Sequence, residues 1–246
     1  MTVTQEEFDS RLAAVRQKID RAASRSGRCG RDSTLLPVTK TLPPSVLETV
    51  LAAGIDEVGE NRVSEILEKR EYPAVSGEMR FHMIGHLQRN KVRDIVGKAV
   101  LIHSVDSAEL AEKINAVSAE AGIFSDILIE VNAAGEASKF GIAPEDVEDF
   151  TEQLSAFEHL CVKGLMTVAP YVDDPEENRP HFRRMKMLFD TLSERSDKYR
   201  FGSGKWANVD MTVLSMGMTN DYEIAVEEGA TLVRIGTALF GERARN

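Results

Sequence analysis

LLPVTKTLPPSVLETVLAAGIDEVGE, residues 35–60, holds a complete structural unit in one short stretch. From Leu35 to Thr39 the residues are apolar or β-branched, as in a strand buried on both faces. Two prolines, Pro43 and Pro44, break the run, and "SVLETVLAAG" then places its apolar residues at helical spacing up to Gly54. Glu57 to Gly59 begins a second short strand. Strand, helix and strand in that order imply a right-handed βαβ crossover between parallel strands. A buried strand has no evident use for an ammonium group at its end, yet this one finishes on Lys40.

The same rhythm continues on both sides. Further strands are expected at Phe81 to Ile84, Leu101 to Ser104, Ile127 to Val131, Val162 to Val168, Thr212 to Met216 and Leu232 to Ile235. Amphipathic stretches such as "NRVSEILEKRE", "SAELAEKINAVSAEAG", "PEDVEDFTEQLSAF" and "ENRPHFRRMKMLFDTLSER" lie between them. Upstream, residues 4–26 read as a helix with Phe8, Leu12, Val15 and Ile19 on one face, opened by a T-x-x-E capping box at Thr4 and Glu7. About eight strand–helix units in a chain of this length suit an α/β fold, a single (β/α)₈ TIM barrel with an extra N-terminal helix. Only "GTALFGERARN" follows the last strand, too little for a full covering helix, and the N-terminal helix is available for that side. The competitor is an open doubly wound sheet, but no GxGxxG follows any expected strand. The expected organisation is one barrel domain over 1–246, with 1–30 forming the N-terminal helix and its connection and 31–246 the barrel.

The composition narrows the function classes. With 42% hydrophobic and 28% charged residues, a folded, water-soluble core is expected. A net charge of -10 argues against general binding to nucleic acid or acidic membranes. Cys29 and Cys161 have neither metal-ligand spacing nor a disulfide framework. The N-terminus is charged throughout, without an apolar signal core, and no run approaches the roughly 18 apolar residues of a membrane span, so a cytoplasmic protein is expected.

In such a barrel the strand C-termini and the loops after them line one mouth. Here they present Lys40, "GENR" (60–62 with Gly59), His82, His86 and Gln88, Asn132 and Lys139, "SMGMTND", and "RIGT". The turns after the last two strands combine glycine with hydroxyls: Ser215, Gly217 and Thr219, then Gly236 and Thr237. Small residues let backbone N–H groups approach an anion, and barrels often hold a phosphate at these two loops. The plainer reading is that the glycines only permit tight turns; Arg234 beside them tilts the balance toward an anion site. Lys40 likewise has a plain reading, its stem packed at the rim and its head in water. The functional reading is an amine made neutral by burial and by cations such as Arg234 or Lys139, able to form an imine with an aldehyde. A phosphate pocket across the mouth from such a lysine points to a phosphorylated aldehyde. Pyridoxal 5′-phosphate carries both groups on one ring.

On these residues the chain resembles the pyridoxal phosphate homeostasis protein family, single-domain proteins with the alanine racemase N-terminal-domain-like barrel (PLP fold type III). "LLPVTKTLP", "VGENRVSE", "FHMIGHLQRNK", "GEASKFGI", "GLMTVAP", "LSMGMTNDYEIAVEEG" and "VRIGTALFG" follow the family's order and spacing. The resemblance implies that Lys40 carries the cofactor as an internal aldimine, and that Ser215 with the amides of Gly236 and Thr237 holds the phosphate. It also implies that Arg234 faces the pyridine nitrogen, that Asn61 sits near the ring's oxygen side, and that Lys139 lies close by as an alternative acceptor. His82 and Met216 are candidates to pack on the ring without being ligands. Leu42 stands where many members have a second lysine, and Arg62 where many have tyrosine.

An arginine at the ring nitrogen cannot realistically give up its proton, so it disfavours the protonated pyridine that carbanion chemistry uses. Racemases tolerate such an arginine but add a second acid–base group, commonly a tyrosine from another domain. Of Tyr72, Tyr171, Tyr199 and Tyr222, only Tyr171 stands close enough in sequence to a strand end to reach the mouth. The expected function is a carrier or buffer of pyridoxal phosphate in intracellular homeostasis, with pyridoxal-phosphate-dependent apoenzymes as recipients and a monomer as the preferred state. An amino-acid racemase or a D-threonine-aldolase-like enzyme is the alternative; a phosphosugar enzyme and a scaffold with an empty mouth stand further back.

Overall fold

The computed structural model describes residues 3–75, 77–136, 139–202 and 205–242. Its strands are β1 (Thr34–Pro37), β2 (Glu57–Glu60), β3 (Arg80–Met83), β4 (Ala99–Val105), β5 (Ser125–Glu130), β6 (Leu160–Met166), β7 (Val209–Met218) and β8 (Leu232–Ile235). The helices are α1 (Gln5–Arg25), α2 (Val46–Ala52), α3 (Val63–Arg70), α4 (Val92–Ile95), α5 (Ala108–Ala121), α6 (Val147–Leu154), α7 (Arg179–Gly202), α8 (Tyr222–Glu227) and α9 (Thr237–Phe240). All eight strands are parallel, in the order β1-β8-β7-β6-β5-β4-β3-β2. The remaining seam closes at one point, where Val38 bridges Gly59 and Thr39 N–H donates to the Gly59 carbonyl at 3.1 Å. The expected barrel is therefore the observed one.

The expected N-terminal helix also forms. Thr4 Oγ1 accepts from Glu7 N–H at 3.2 Å and Thr4 N–H donates to the Glu7 carboxylate at 3.1 Å, the reciprocal capping box. Its buried face, Phe8, Leu12, Val15 and Ile19, lies over the seam between α8 and α9, where Phe8 stacks on Phe240 at 5.4 Å. The helix thus covers the barrel beside β8, against α8 and α9. Among the described residues, no helix is long and apolar enough to cross a membrane.

Two layers of side chains leave the strands with a period of two residues. Phe81, Met83, Ile127, Ile129, Leu214, Met216, Val233 and Ile235 point outward into the main core beneath the helices. The alternate positions fill the barrel. Leu101, Leu128 and Met166 form a small apolar cluster there. The rest of that filling is polar, with His82, His103, Ser215 and Arg234 all buried. Barrel interiors are more commonly packed with branched aliphatic residues.

Candidate functional site at the barrel mouth

A cavity of about 920 Å³ opens at the C-terminal ends of the strands. Lys40, Asn61, Arg234, Gly236 and Thr237 all line it, so five of the sequence-expected site residues share one space. His86, Glu130, Phe140, Tyr171 and Thr219 are also part of its wall.

Lys40 does not end a strand. β1 stops at Pro37, and Lys40 stands half-buried on the turn beyond the Val38 bridge. The backbone there no longer serves the β1–β8 ladder: Thr39 N–H is turned to Gly59, and Thr41 N–H donates to Glu65 Oε1 at 2.8 Å. Asn61 follows β2 directly, and Gly85 lies against it. A Cβ on Gly85 would come within 2.3 Å of the Asn61 carbonyl oxygen, so this approach requires glycine. Glu60, expected at the mouth, is instead buried outside the barrel, with its carboxylate 2.5 Å from Lys69 Nζ. Arg62 is exposed and lies outside the cavity lining. Leu42 packs against the main core.

Arg234 projects inward from β8 and is only 4% exposed. Nη1 donates to Ser215 Oγ at 2.6 Å and Nη2 to the Thr167 carbonyl at 2.8 Å. Burial pulls its guanidinium down to about 10, against the opposing pull of Asp221 and Glu130. Even so it stays charged at neutral pH. Glu130, at the end of β5, is the carboxyl the sequence reading did not select. Burial raises it to about 7, with Asp106 adding to the rise and Arg234 opposing it.

The turn after β7 places its two hydroxyls at different depths. β7 runs on to Met218, beyond the expected end at Met216, through a register irregularity between Ser215 and Met218. Ser215 is consequently fully buried beneath Arg234, where it meets that guanidinium and His103 rather than lining the cavity. Thr219 reaches the mouth in its place, and its Oγ1 accepts from Ala238 N–H at 3.2 Å, tying this turn to the first turn of α9. Gly236 and Thr237, next to Ala238 in that turn, line the cavity with Thr219.

The remaining candidates separate. His82 lies inside the barrel and Met216 in the outer core, both away from the cavity lining. Lys139 pairs with Glu136 at 2.9 Å, while its neighbour Phe140 reaches the mouth and stacks on His86 at 4.0 Å. Of the tyrosines, Tyr171 lines the cavity and is 85% exposed. The donor set fits a phosphorylated aromatic aldehyde: an amine, a hydroxyl, a glycine turn and a buried cation line the same space.

The family profile described as alanine racemase, N-terminal domain, matches residues 10–244. The chain is 43% identical to a pyridoxal phosphate homeostasis protein of Aquifex aeolicus, over 95% of this chain and 97% of that one. A protein of the same name from Haemophilus influenzae is 34% identical over 94% of each chain. Among solved structures, PipY of Synechococcus elongatus with PLP bound superposes with a TM-score of 0.79 at 30% identity, covering 95% of this chain and all of that one.

Proposed function

The chain belongs to the pyridoxal phosphate homeostasis protein family, and from that membership we propose that it binds pyridoxal 5′-phosphate at the barrel mouth through an imine to Lys40. The observation that carries the proposal is the shared cavity, with Lys40, Arg234 and the Gly236–Thr237 turn on its wall. When bound, the cofactor supplies a reactive aldehyde and an aromatic ring able to withdraw electrons. The chain's own residues do the rest. Thr219, Gly236 and Thr237 take the phosphate, because a hydroxyl and a glycine turn offer close, uncrowded donors. Asn61 would lie toward the ring's oxygen side. Ser215 acts from beneath, by holding the guanidinium.

Arg234 would face the ring nitrogen and keep it unprotonated, since a buried guanidinium repels a second positive charge beside it. A weakly activated ring suits storage more than catalysis. The protein acts as a cytoplasmic monomer that limits free pyridoxal phosphate and passes it to apoenzymes. The test is reduction with borohydride in the presence of the cofactor, followed by peptide mass analysis. A pyridoxal adduct on Lys40, absent in Lys40→Ala together with the imine absorption band, is expected. An adduct elsewhere, or an unchanged band in Lys40→Ala, removes the assignment.

One observation favours a second reading, an amino-acid racemase. Tyr171 lines the same cavity as Lys40 and could serve as a second acid–base group. Exchange of the α-hydrogen of amino acids in heavy water separates the two. The carrier gives little exchange, and rapid exchange lost in both Lys40→Ala and Tyr171→Phe establishes the racemase.

A further inference from the structure

A file of buried polar groups runs through the barrel from the mouth to its opposite end. Arg234 Nη1 donates to Ser215 Oγ at 2.6 Å, and Ser215 Oγ lies 3.2 Å from His103 Nδ1. His103 Nε2 lies 3.0 Å from His82 Nδ1. Beyond it, His82 Nε2 points at Glu57 Oε2, 3.7 Å away, too far for a hydrogen bond but close enough for charge to be felt. Both rings, Ser215 and Arg234 are buried, and Glu57 opens β2 at the end of the barrel away from Lys40.

The two ends fix the direction of the file. A guanidinium only donates and a carboxylate only accepts. Ser215 therefore accepts from Arg234 and gives its hydrogen to His103 Nδ1. His103 then carries its hydrogen on Nε2 and donates to His82 Nδ1, and His82 carries its own on Nε2, facing Glu57. The opposite order would aim an imidazole lone pair at the Glu57 carboxylate. It would also leave the Ser215 hydroxyl hydrogen without an acceptor among the described residues. Burial, with the Arg234 charge adding to it, holds His103 well below the usual imidazole range, so this ring is neutral as the order requires.

We propose that this one-way chain fixes the Arg234 guanidinium at the mouth, and that His103 and His82 are positioning residues acting on the cavity from inside the barrel. A Ser215 hydroxyl committed to His103 has only lone pairs left for Arg234. Together with the Thr167 carbonyl on Nη2, that pins two of the guanidinium's nitrogens and leaves its remaining N–H groups for the cavity. The sequence places both histidines on inward positions of neighbouring strands, where a leucine would otherwise fill the space. The functional part of the proposal rests on the cavity being a pyridoxal phosphate site.

The direction of the chain is read without any cofactor. In the cofactor-free protein with ¹⁵N-labelled imidazoles, long-range ¹H–¹⁵N correlation is expected to show His103 neutral with its hydrogen on Nε2, and His82 Nδ1 accepting from it. A hydrogen on His103 Nδ1, or a charged His103, overturns the chain. The positioning role is read with pyridoxal phosphate in His82→Leu, a substitution outside the cavity lining. Roughly fivefold weaker binding is expected, the loss of about one hydrogen bond's worth of ordering, with a displaced absorption maximum of the bound cofactor. His103→Leu should lose more, and His103→Asn, which can accept and donate, should regain part of it. A folded His82→Leu with unchanged affinity and spectrum overturns the role. Wild-type protein that binds no pyridoxal phosphate removes the cavity reading and the positioning role with it, while the tautomers still decide whether the chain exists.

Discussion

The ammonium of Lys69, on α3, donates a 2.7 Å hydrogen bond to the backbone carbonyl of Thr39, the residue before Lys40. The same ammonium sits 2.5 Å from the Glu60 carboxylate, which also accepts from the Thr39 hydroxyl. On the other flank, Glu65 of α3 holds Thr41 N–H, and Thr41 has φ 63, a strained value for a β-branched residue. One helix therefore grips the Lys40 turn on both sides. Burial pushes the Glu60 carboxyl up and Lys69 pulls it back, so the pair depends on both partners.

Lys69→Met leaves Glu60 buried without its cation. The expected cost is about 3–5 kcal/mol in urea unfolding. Lys69→Met combined with Glu60→Leu removes both charges and should recover most of that loss. A single variant as stable as wild type would mean that the pair holds nothing together.

Gly217 governs the turn that carries Thr219 to the mouth. Its φ is 89, and a Cβ there would lie 2.5 Å from Ala225 Cβ and 3.0 Å from Tyr222 Cα. The turn is also pinned by Asp221, whose Oδ1 accepts from Met218 N–H at 2.7 Å. Gly217→Ala combines an unfavourable backbone conformation with overpacking, and a loss of about 2–4 kcal/mol is expected from chemical denaturation. Because α8 cannot yield without moving Met218 to Asn220, pyridoxal phosphate binding should weaken too.

Much of this was legible in the residues. The short apolar runs between amphipathic stretches marked the strands, and β8 lies at Leu232–Ile235 as expected. Lys40, Arg234, Gly236 and Thr237 were readable because a barrel's chemistry gathers where its strands end. Ser215 lies beneath the cavity lining for a local reason: the irregularity in β7 carries the strand on to Met218, and no composition signal marks such a shift. Glu130 was hidden by its neighbours, since only the alternation with Leu128 tells that it faces inward. The contact between His82 and His103 needs the register of β3 on β4, which shifts at Phe81 and His82 and which no single strand reveals.

Thr219 and Ser215 can be told apart by the phosphate. Thr219→Val should weaken pyridoxal 5′-phosphate binding about tenfold, the loss of a hydrogen bond to a charged group. It should leave binding of pyridoxal, which has no phosphate, nearly unchanged. Ser215→Ala frees the Arg234 guanidinium instead, and should weaken both ligands alike. Fluorescence titration with the two ligands makes the comparison. Equal losses for both ligands in Thr219→Val would remove the phosphate role.

Glu130 makes the folded protein sensitive to pH near neutrality. Its carboxyl is raised from 4.5 to about 7, first by burial and then by Asp106. The folded protein thus holds this proton more tightly than the unfolded chain does. The stabilisation is fully present below pH 4.5 and is lost as pH rises through about 7. Wild-type protein without cofactor should lose up to about 3 kcal/mol across that window from this group alone. Glu130→Gln keeps the shape and removes the proton, so its urea midpoint should fall less over the same range. If the glutamine variant declines as steeply as wild type, the titrating group is another buried carboxyl. Glu60 is then the one to substitute, because burial raises its carboxyl to about 7 as well.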